Sequence, residues 1–441
     1  MDVTTETKEC LTVKNFAGIK TAEFELGRMN LFIGPQASGK SVCAKLIFYF
    51  KEIFRRLPVD IESFETKPLI RAEHRRLFAL YFPESCWGDD EFAITYSCGA
   101  AQVSVTRKKA KASTSPQIEY SAVFDELLVL LRKNSRKTVD LTEGTDAADL
   151  QLGQRPLRDD LTERLCELKL DVLSNINIFI PAGRSFFSAL HSNVFGFLVG
   201  NVQIDPFMAL FGRLYELSRS SYLPSYRMQR QPNGPSSKMV KDRLARILGG
   251  NYLSGTRLHH IETEDGRRVP VESCSSGQQE ALPLAIVLLG INRLKQGFEH
   301  STVFVEEPEA HLFPSAQREI VHLLVDILDL ASSTSSSQYV VTTHSPYILT
   351  ALNNLMYGDE LSRNFQVPVE TVRKITGSRS TIDSRKVRAY MFENGKVSDI
   401  IDSETNLVNA TAIDGVSDVL AVEFDKLQEI EYKATRQGKS K

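Results

Sequence analysis

The sequence predicts an α/β protein: a mixed sheet with flanking helices, carrying an inserted helical hairpin and a small C-terminal region. Three observations predict it. The apolar run Met29-Asn30-Leu31-Phe32-Ile33 stops at a glycine loop and gives way, after Lys40, to the helical spacing Val42, Ala44, Leu46, Ile47 and Phe50. Two further apolar runs, 302–305 and 339–343, have a helical stretch between them, as strands buried in a parallel sheet do. Residues 10–16, 21–26 and 92–105 roughly alternate instead, the mark of half-exposed strands.

In chain order, Gly18 permits a reversal between the first two strands, and a third strand leads through the glycine loop into a helix. The alternation at 92–105 ends in the basic run Arg107-Lys108-Lys109-Ala110-Lys111 and a Ser/Thr/Pro stretch, where a boundary is expected. Helical patterns near 123–131 and 161–173 suggest the inserted hairpin, and Ile176-Asn177-Ile178-Phe179-Ile180 suggests another strand. Further helices reach about residue 220, strands are expected near Tyr252 and at 259–264, and an apolar helix ends near Arg293. Beyond the last apolar strand come a hairpin around 388–396 and a helix at 416–432. Four segments result: 1–116 with the glycine loop, 117–175 as helical insertion, 176–350 as a second lobe, and 351–441 for assembly or partner contacts.

Composition narrows the classes. Of 441 residues, 42% are apolar and 24% charged, which excludes collagenous and disordered chains. A net charge of −2 leaves no global field to hold a polyanion or an anionic membrane, so any nucleic-acid contact must be local. Cys10, Cys43, Cys86, Cys98, Cys166 and Cys274 lack the spacing of a zinc site or a secreted disulfide framework. No signal pattern opens the chain, and its most apolar stretch, 281–291, is too short to span a bilayer. A cytoplasmic protein without a membrane partner is expected.

Four motifs carry chemistry. Gly34, Pro35, Gln36, Ala37, Ser38, Gly39, Lys40 and Ser41 fit GxxxxGK[ST] without mismatch. Such a loop turns its N–H groups toward one anion, its lysine reaches the β- and γ-phosphates, and its serine hydroxyl can ligate Mg²⁺. Val303-Phe304-Val305 delivers Glu306 and Glu307 at a strand end; Glu306 is the metal-side candidate and Glu307 the base for an attacking water. His344 follows the strand 339–343, where its imidazole could donate to the γ-phosphate. Ser275, Ser276, Gly277 and Gln278 open a long helix and form a candidate anion site. Taken singly, an exposed acidic strand end, a structural histidine and a plain helix cap are the alternatives. Their shared order argues for ATP and Mg²⁺.

That order resembles ABC-type ATPase heads, in particular the soluble SMC, RecF and OLD-like branch. Leu11-Thr12-Val13-Lys14-Asn15-Phe16-Ala17-Gly18-Ile19-Lys20, Glu306-Glu307-Pro308-Glu309-Ala310-His311-Leu312 and Thr343-His344-Ser345-Pro346 carry the likeness over most of residues 8–350. It implies an ABC-type fold with Ser275–Gln278 region residues as the signature, Glu306 as the first Walker B carboxylate where many ABC proteins have Asp, and His344 as the switch. It also implies that Ser276 and Gly277 act on nucleotide held by a second subunit, so that the chain forms a homo-oligomer of head dimers. Ile180-Pro181-Ala182-Gly183-Arg184 recurs in such heads, where Arg184 would sense the γ-phosphate; a structural salt bridge is the other reading.

OLD proteins carry a Toprim nuclease with an Asp-x-Asp pair after the ATPase, and residues 345–441 contain no such pair, so no nuclease centre is expected here. The chain is similar to ATPase subunits of PARIS-type bacterial anti-phage defence, which pair with a separate Toprim-like nuclease; ATPases of Septu and some retron systems share its motifs. This resemblance implies a sensor or scaffold that holds a toxic effector and responds to a phage-encoded trigger. The alternative is a RecF-like repair ATPase binding DNA directly, to which residues 107–111 could contribute. A transporter subunit is disfavoured because about 240 residues separate Lys40 from Ser276, where transporter heads have about a hundred.

Overall fold

Alternating strands early in the chain and unbroken apolar strands later join into one mixed sheet. The computed structural model describes residues 7–409 except 65, 89, 109–114, 140–148, 190–203, 223–234, 255–258, 294–299 and 331–336, together with residue 428. Strands β1 (Glu9–Phe16), β2 (Ile19–Glu25) and β3 (Met29–Ile33) lead to helices α1 (Lys40–Arg55), α2 (Leu57–Ser63) and α3 (Lys67–Tyr81). Next come β4 (Phe92–Cys98), β5 (Ala101–Arg107) and β6 (Gln117–Tyr120), then α4 (Ala122–Val139) and α5 (Asp149–Glu167). β7 (Ile176–Ile180) is followed by α6 (Ser185–Ala189), α7 (Pro206–Tyr222) and α8 (Pro235–Leu248). A small sheet of β8 (Asn251–Ser254), β9 (His259–Glu262) and β10 (Arg268–Pro270) precedes α9 (Ser276–Arg293). The chain continues with β11 (Ser301–Glu306), α10 (Pro314–Leu330), β12 (Gln338–Thr343), α11 (Pro346–Asn364), α12 (Val369–Thr376), β13 (Val387–Glu393) and β14 (Lys396–Asp399).

Among the described residues the large sheet runs β6-β5-β4-β1-β2-β14-β13-β3-β12-β11-β7. β1, β2, β4, β5 and β6 pair antiparallel, whereas β13, β3, β12, β11 and β7 run parallel. Successive side chains of a strand point to opposite faces, and the parallel strands divide their apolar residues accordingly. Phe32, Phe179, Phe304, Val340, Tyr390 and Phe392 face the core built with α1 and α3. Leu31, Ile33, Ile178, Ile180, Val303, Val305 and Val341 face a second core built with α9, α10 and α11. The first is rich in aromatic rings: Phe48 of α1 lies 5.6 Å from Phe304 and 5.7 Å from Phe179, edge to face. Each such pair adds about 0.5–1.5 kcal/mol beyond the area it buries.

Register aligns the strand ends. Thr343 pairs with Ile33 and Glu306 with Thr342, so Gly34, Glu307 and His344 emerge side by side at the carboxyl edge.

Three boundaries differ from the sequence reading. β6 extends the sheet past residue 116 by pairing with β5, because Ile118 alternates with exposed neighbours like the strands before it. The helical pair α4 and α5 is no separate unit: Phe124, Leu131, Leu161 and Leu165 join the same core as α1, and Phe124 packs 5.6 Å from Phe54. The C-terminal hairpin is internal, with β13 inserted between β3 and β14. The expected helix at 416–432, apart from residue 428, and the basic residues past Lys108 lie outside the described residues.

Candidate phosphate-binding and hydrolytic site

The loop after β3 curls through left-handed backbone at Gly34 (φ 146°), Ala37 (φ 59°) and Gly39 (φ 101°). Both glycines are also sterically required. A Cβ on Gly34 would stand 2.2 Å from the Phe392 carbonyl oxygen, and one on Gly39 2.6 Å from Ile19 Cγ1. The hairpins β13–β14 and β1–β2 thus close on the loop from the sides. Lys40, 5% exposed at the start of α1, donates from Nζ to the carbonyls of Gly34 at 2.8 Å and Pro35 at 2.6 Å, and contacts Ser38 Oγ at 3.3 Å. Burial pushes its pKa down to about 8, against the pull of Glu307 and Glu309. A phosphate oxygen would compete with neutral carbonyls for that ammonium, and charged acceptors bind the more strongly.

A cavity of about 170 Å³ lies over the loop, lined by Ala17, residues 36–42, Glu307 and His344. Glu307 takes φ 43°, a left-handed conformation uncommon for a side-chain-bearing residue, and its N–H donates to the Thr342 carbonyl at 2.9 Å. Its Oε1 stands 3.1 Å from His344 Nε2, which makes a hydrogen bond when Nε2 carries the proton. Two of the three strand-end residues therefore face the phosphate loop together.

Glu306 lies behind the cavity wall, 6% exposed. Its Oε2 accepts from the Ala182 N–H at 3.3 Å, while its Oε1 is buried without a hydrogen-bond partner among the described residues. A carboxylate oxygen so placed suits the water shell of a cation, because burial without a partner is costly. Among the described residues no group of three or more His, Cys, Asp or Glu could hold a metal ion. Mg²⁺ needs none, since it keeps waters and takes one or two protein oxygens beside phosphates. Ser41, in the cavity wall, and Glu306 fit that role.

Residues 220–349 match the family model described as AAA ATPase domain. That stretch holds the Ser275 to Gln278 segment, Glu306, Glu307 and His344, but not the phosphate loop. No curated protein matches the chain. Similar solved structures include the SMC head domain from Thermotoga maritima, at 12% identity and a TM-score of 0.35, covering 89% of this chain and 98% of that one. An SmcHead bound to the C-winged helix domain of ScpA gives 12% identity, a TM-score of 0.38, and coverage of 89% and 97%. An Smc head domain with an extended coiled coil, bound to the C-terminal domain of ScpA from Pyrococcus furiosus, gives 11%, 0.38, and coverage of 94% and 99%. Likeness at this level says nothing of what the chain binds.

Arg184 does not line the cavity over the loop. It is 0% exposed, and Nη1 donates to the carbonyls of Pro181 at 2.9 Å and Glu306 at 2.6 Å, while Nη2 donates to that of Glu307 at 2.9 Å. Glu280 of α9 answers it: Oε2 accepts from the Arg184 N–H at 2.9 Å and Oε1 from the Ser185 N–H at 3.1 Å. Arg184 Nε also stands 3.4 Å from Glu280 Oε2, so the structural salt bridge is present, and the guanidinium holds the main-chain carbonyls of both strand-end glutamates. Arg107 is also engaged, donating to the carbonyls of Gly88 and Asp90 at 2.6 Å each and lying over the rings of Trp87 and Phe92.

Ser275 and Gln278 cap their own helix reciprocally, the Ser275 N–H donating to Gln278 Oε1 at 3.0 Å and the Gln278 N–H to Ser275 Oγ at 3.4 Å. Ser276 is exposed, and a Cβ on Gly277 would stand 2.5 Å from the His311 carbonyl oxygen. None of Ser275, Ser276, Gly277 and Gln278 lines the cavity over the loop. Sequence reasoning assigned no role to Ala17, Glu280 or Glu309. Ala17 carried only a turn signal, Glu280 follows the Ser275 to Gln278 segment, and Glu309 sits inside the Glu306–Leu312 motif.

Proposed function

We propose that the chain is an ATPase that binds ATP with Mg²⁺ and hydrolyses it to ADP and phosphate. The observation that carries this reading is the cavity where Lys40 and Ser41 from the loop after β3 meet Glu307 and His344 from the ends of β11 and β12. Lys40 and the loop N–H groups hold the phosphates, and Ser41 with Glu306 would hold Mg²⁺. Bound there, Mg²⁺ supplies positive charge against that developing on the transferred phosphoryl group. Glu307 Oε takes the proton of the attacking water, and His344 steadies that carboxylate through Nε2.

The finer reading is an ABC-type head working as a homo-oligomer. Its support is that Ser276 and Gly277 stand clear of their own chain's cavity, so an action on nucleotide requires a facing subunit. We further propose a cytoplasmic role as sensor or scaffold of bacterial anti-phage defence, holding a separate effector, such as a Toprim-like nuclease, until a phage trigger arrives; the motif resemblance supports it. Nucleotide that closes two heads and hydrolysis that releases them would provide the bistable element. Among the described residues no helix is long and apolar enough to cross a membrane.

Glu307→Gln tests the reading. The amide keeps the shape but accepts no proton, so ATP should bind normally while phosphate release falls by about 100-fold or more. With ATP the variant should accumulate as a dimer by light scattering. Normal turnover would remove Glu307 as base, and an ATP-loaded monomer would remove the facing-subunit arrangement.

A further inference from the structure

The structure assigns Glu309 as a positioning residue that aims His344 at Glu307, a role resting on the ATPase reading above. Its Oε1 accepts two hydrogen bonds, from Thr343 Oγ1 at 2.7 Å and from the His344 N–H at 2.6 Å. Thr343 Oγ1 in turn accepts from the Ser345 N–H at 3.0 Å. One carboxylate oxygen thus pins the last residue of β12 and the first residue beyond it, the point from which the imidazole reaches Glu307 Oε1. The turn bearing Glu309 is itself braced, with the Ala310 N–H donating to the Glu307 carbonyl at 3.1 Å and the Leu312 N–H to the Glu309 carbonyl at 2.9 Å. Glu307 and Glu309 therefore share one hydrogen-bonded turn, and His344 contacts the carboxylates of both.

Packing alone does not account for the choice of residue. Glu309 Oε2 is buried with no hydrogen-bond partner among the described residues, an expensive state for a group that serves only stability. Nor does Glu309 line the cavity, which separates it from a residue touching the nucleotide. Its effect passes through the histidine: without the anchor, the segment 343–345 loses the contact that sets the direction of the His344 ring.

The test uses the full chain with Glu309→Ala, Glu309→Gln, His344→Ala and the double variant Glu309→Ala with His344→Ala. Glu309→Ala should lower kcat by about 10- to 100-fold while affinity for a fluorescent non-hydrolysable ATP analogue stays within about twofold. Glu309→Gln keeps the accepting oxygen and should retain at least about half of kcat. In the His344→Ala background, Glu309→Ala should cost less than about a further twofold, since the interaction it supports is already gone. Additive losses, a Gln variant as poor as the Ala variant, or unchanged kcat in Glu309→Ala would overturn the proposal. Amide exchange at His344 in the nucleotide-free protein gives a second readout, faster in Glu309→Ala and protected in Glu309→Gln. Unaltered exchange in the Ala variant would overturn the anchoring whatever the activity. If the wild-type chain turned over no ATP, the functional reading would fall while the exchange readout still decided the anchor.

Discussion

The two ends of β12 treat buried polar groups in opposite ways. At its start, Gln338 accepts from Lys51 Nζ at 2.7 Å and donates to Glu9 Oε2 at 2.9 Å. Lys51 also pairs with Glu9 Oε1 at 2.8 Å, and the Tyr96 hydroxyl donates to the same oxygen at 2.7 Å. No buried side-chain polar atom of these four residues lacks a partner. At the other end of the strand, Thr342 Oγ1, Glu306 Oε1 and Glu309 Oε2 are all buried and partnerless among the described residues. Both ends belong to one sheet, so the difference is not a matter of packing quality. The network at the start holds strands together and is closed, whereas the other end leaves acceptors open, Glu306 Oε1 being the one that the ATPase reading assigns to Mg²⁺.

Breaking the closed end should give the largest effect on stability. Lys51→Met leaves Glu9 buried with its charge uncompensated, which costs about 3–5 kcal/mol. Urea denaturation would read it, and a loss below about 1 kcal/mol would show that the network contributes little. At the open end the charge of Lys40 can be titrated instead. Its pKa of about 8 lies below the usual lysine value, so the apo protein carries the charge well below that pH, half of it at that pH, and loses it as pH rises further. Phosphate favours the charged form, so ATP affinity should fall through pH 8, approaching tenfold per unit, with proton uptake on binding. Calorimetry in two buffers of different ionisation enthalpy would measure that uptake; affinity flat to pH 9 would place the ammonium outside the phosphate contact. The smallest stability effect belongs to Glu306→Gln. Since its Oε1 has no partner to lose, unfolding free energy should change by less than about 1 kcal/mol although Mg²⁺-dependent turnover is lost. A loss as large as that of Lys51→Met would erase the contrast between the two ends.

Much of this was legible beforehand, and for local reasons. The phosphate loop, the strand-end glutamates and the strand-end histidine are each set by a few consecutive residues, and their strands appear as apolar runs. The hairpin at 388–396 was equally readable, since Asn394 and Gly395 supply the positive φ values, 53° and 75°, that its turn needs. Its address was not. Nothing in the spacing of Val387–Glu393 tells that β13 enters the middle of the sheet, where the Phe392 carbonyl abuts Gly34.

The sequence by itself determined the α/β class, most of the order of elements and which residues stand at strand ends, because 2.0- and 3.6-residue periods and glycine conformations are properties of neighbours along the chain. Tertiary structure alone decided what Arg184 does. Its side chain had a phosphate or a structural partner open to it, and only the arrival of the Glu280 carbonyl and carboxylate on α9, at 3.3 and 3.4 Å from Nε, and of the Glu306 and Glu307 carbonyls used its donors within the fold. It likewise decided that Glu309 holds His344 and that Glu9, Lys51 and Gln338 close one network. Hydrogen bonds between residues far apart in sequence depend on register and distance in three dimensions, and those are fixed only when the whole sheet has formed.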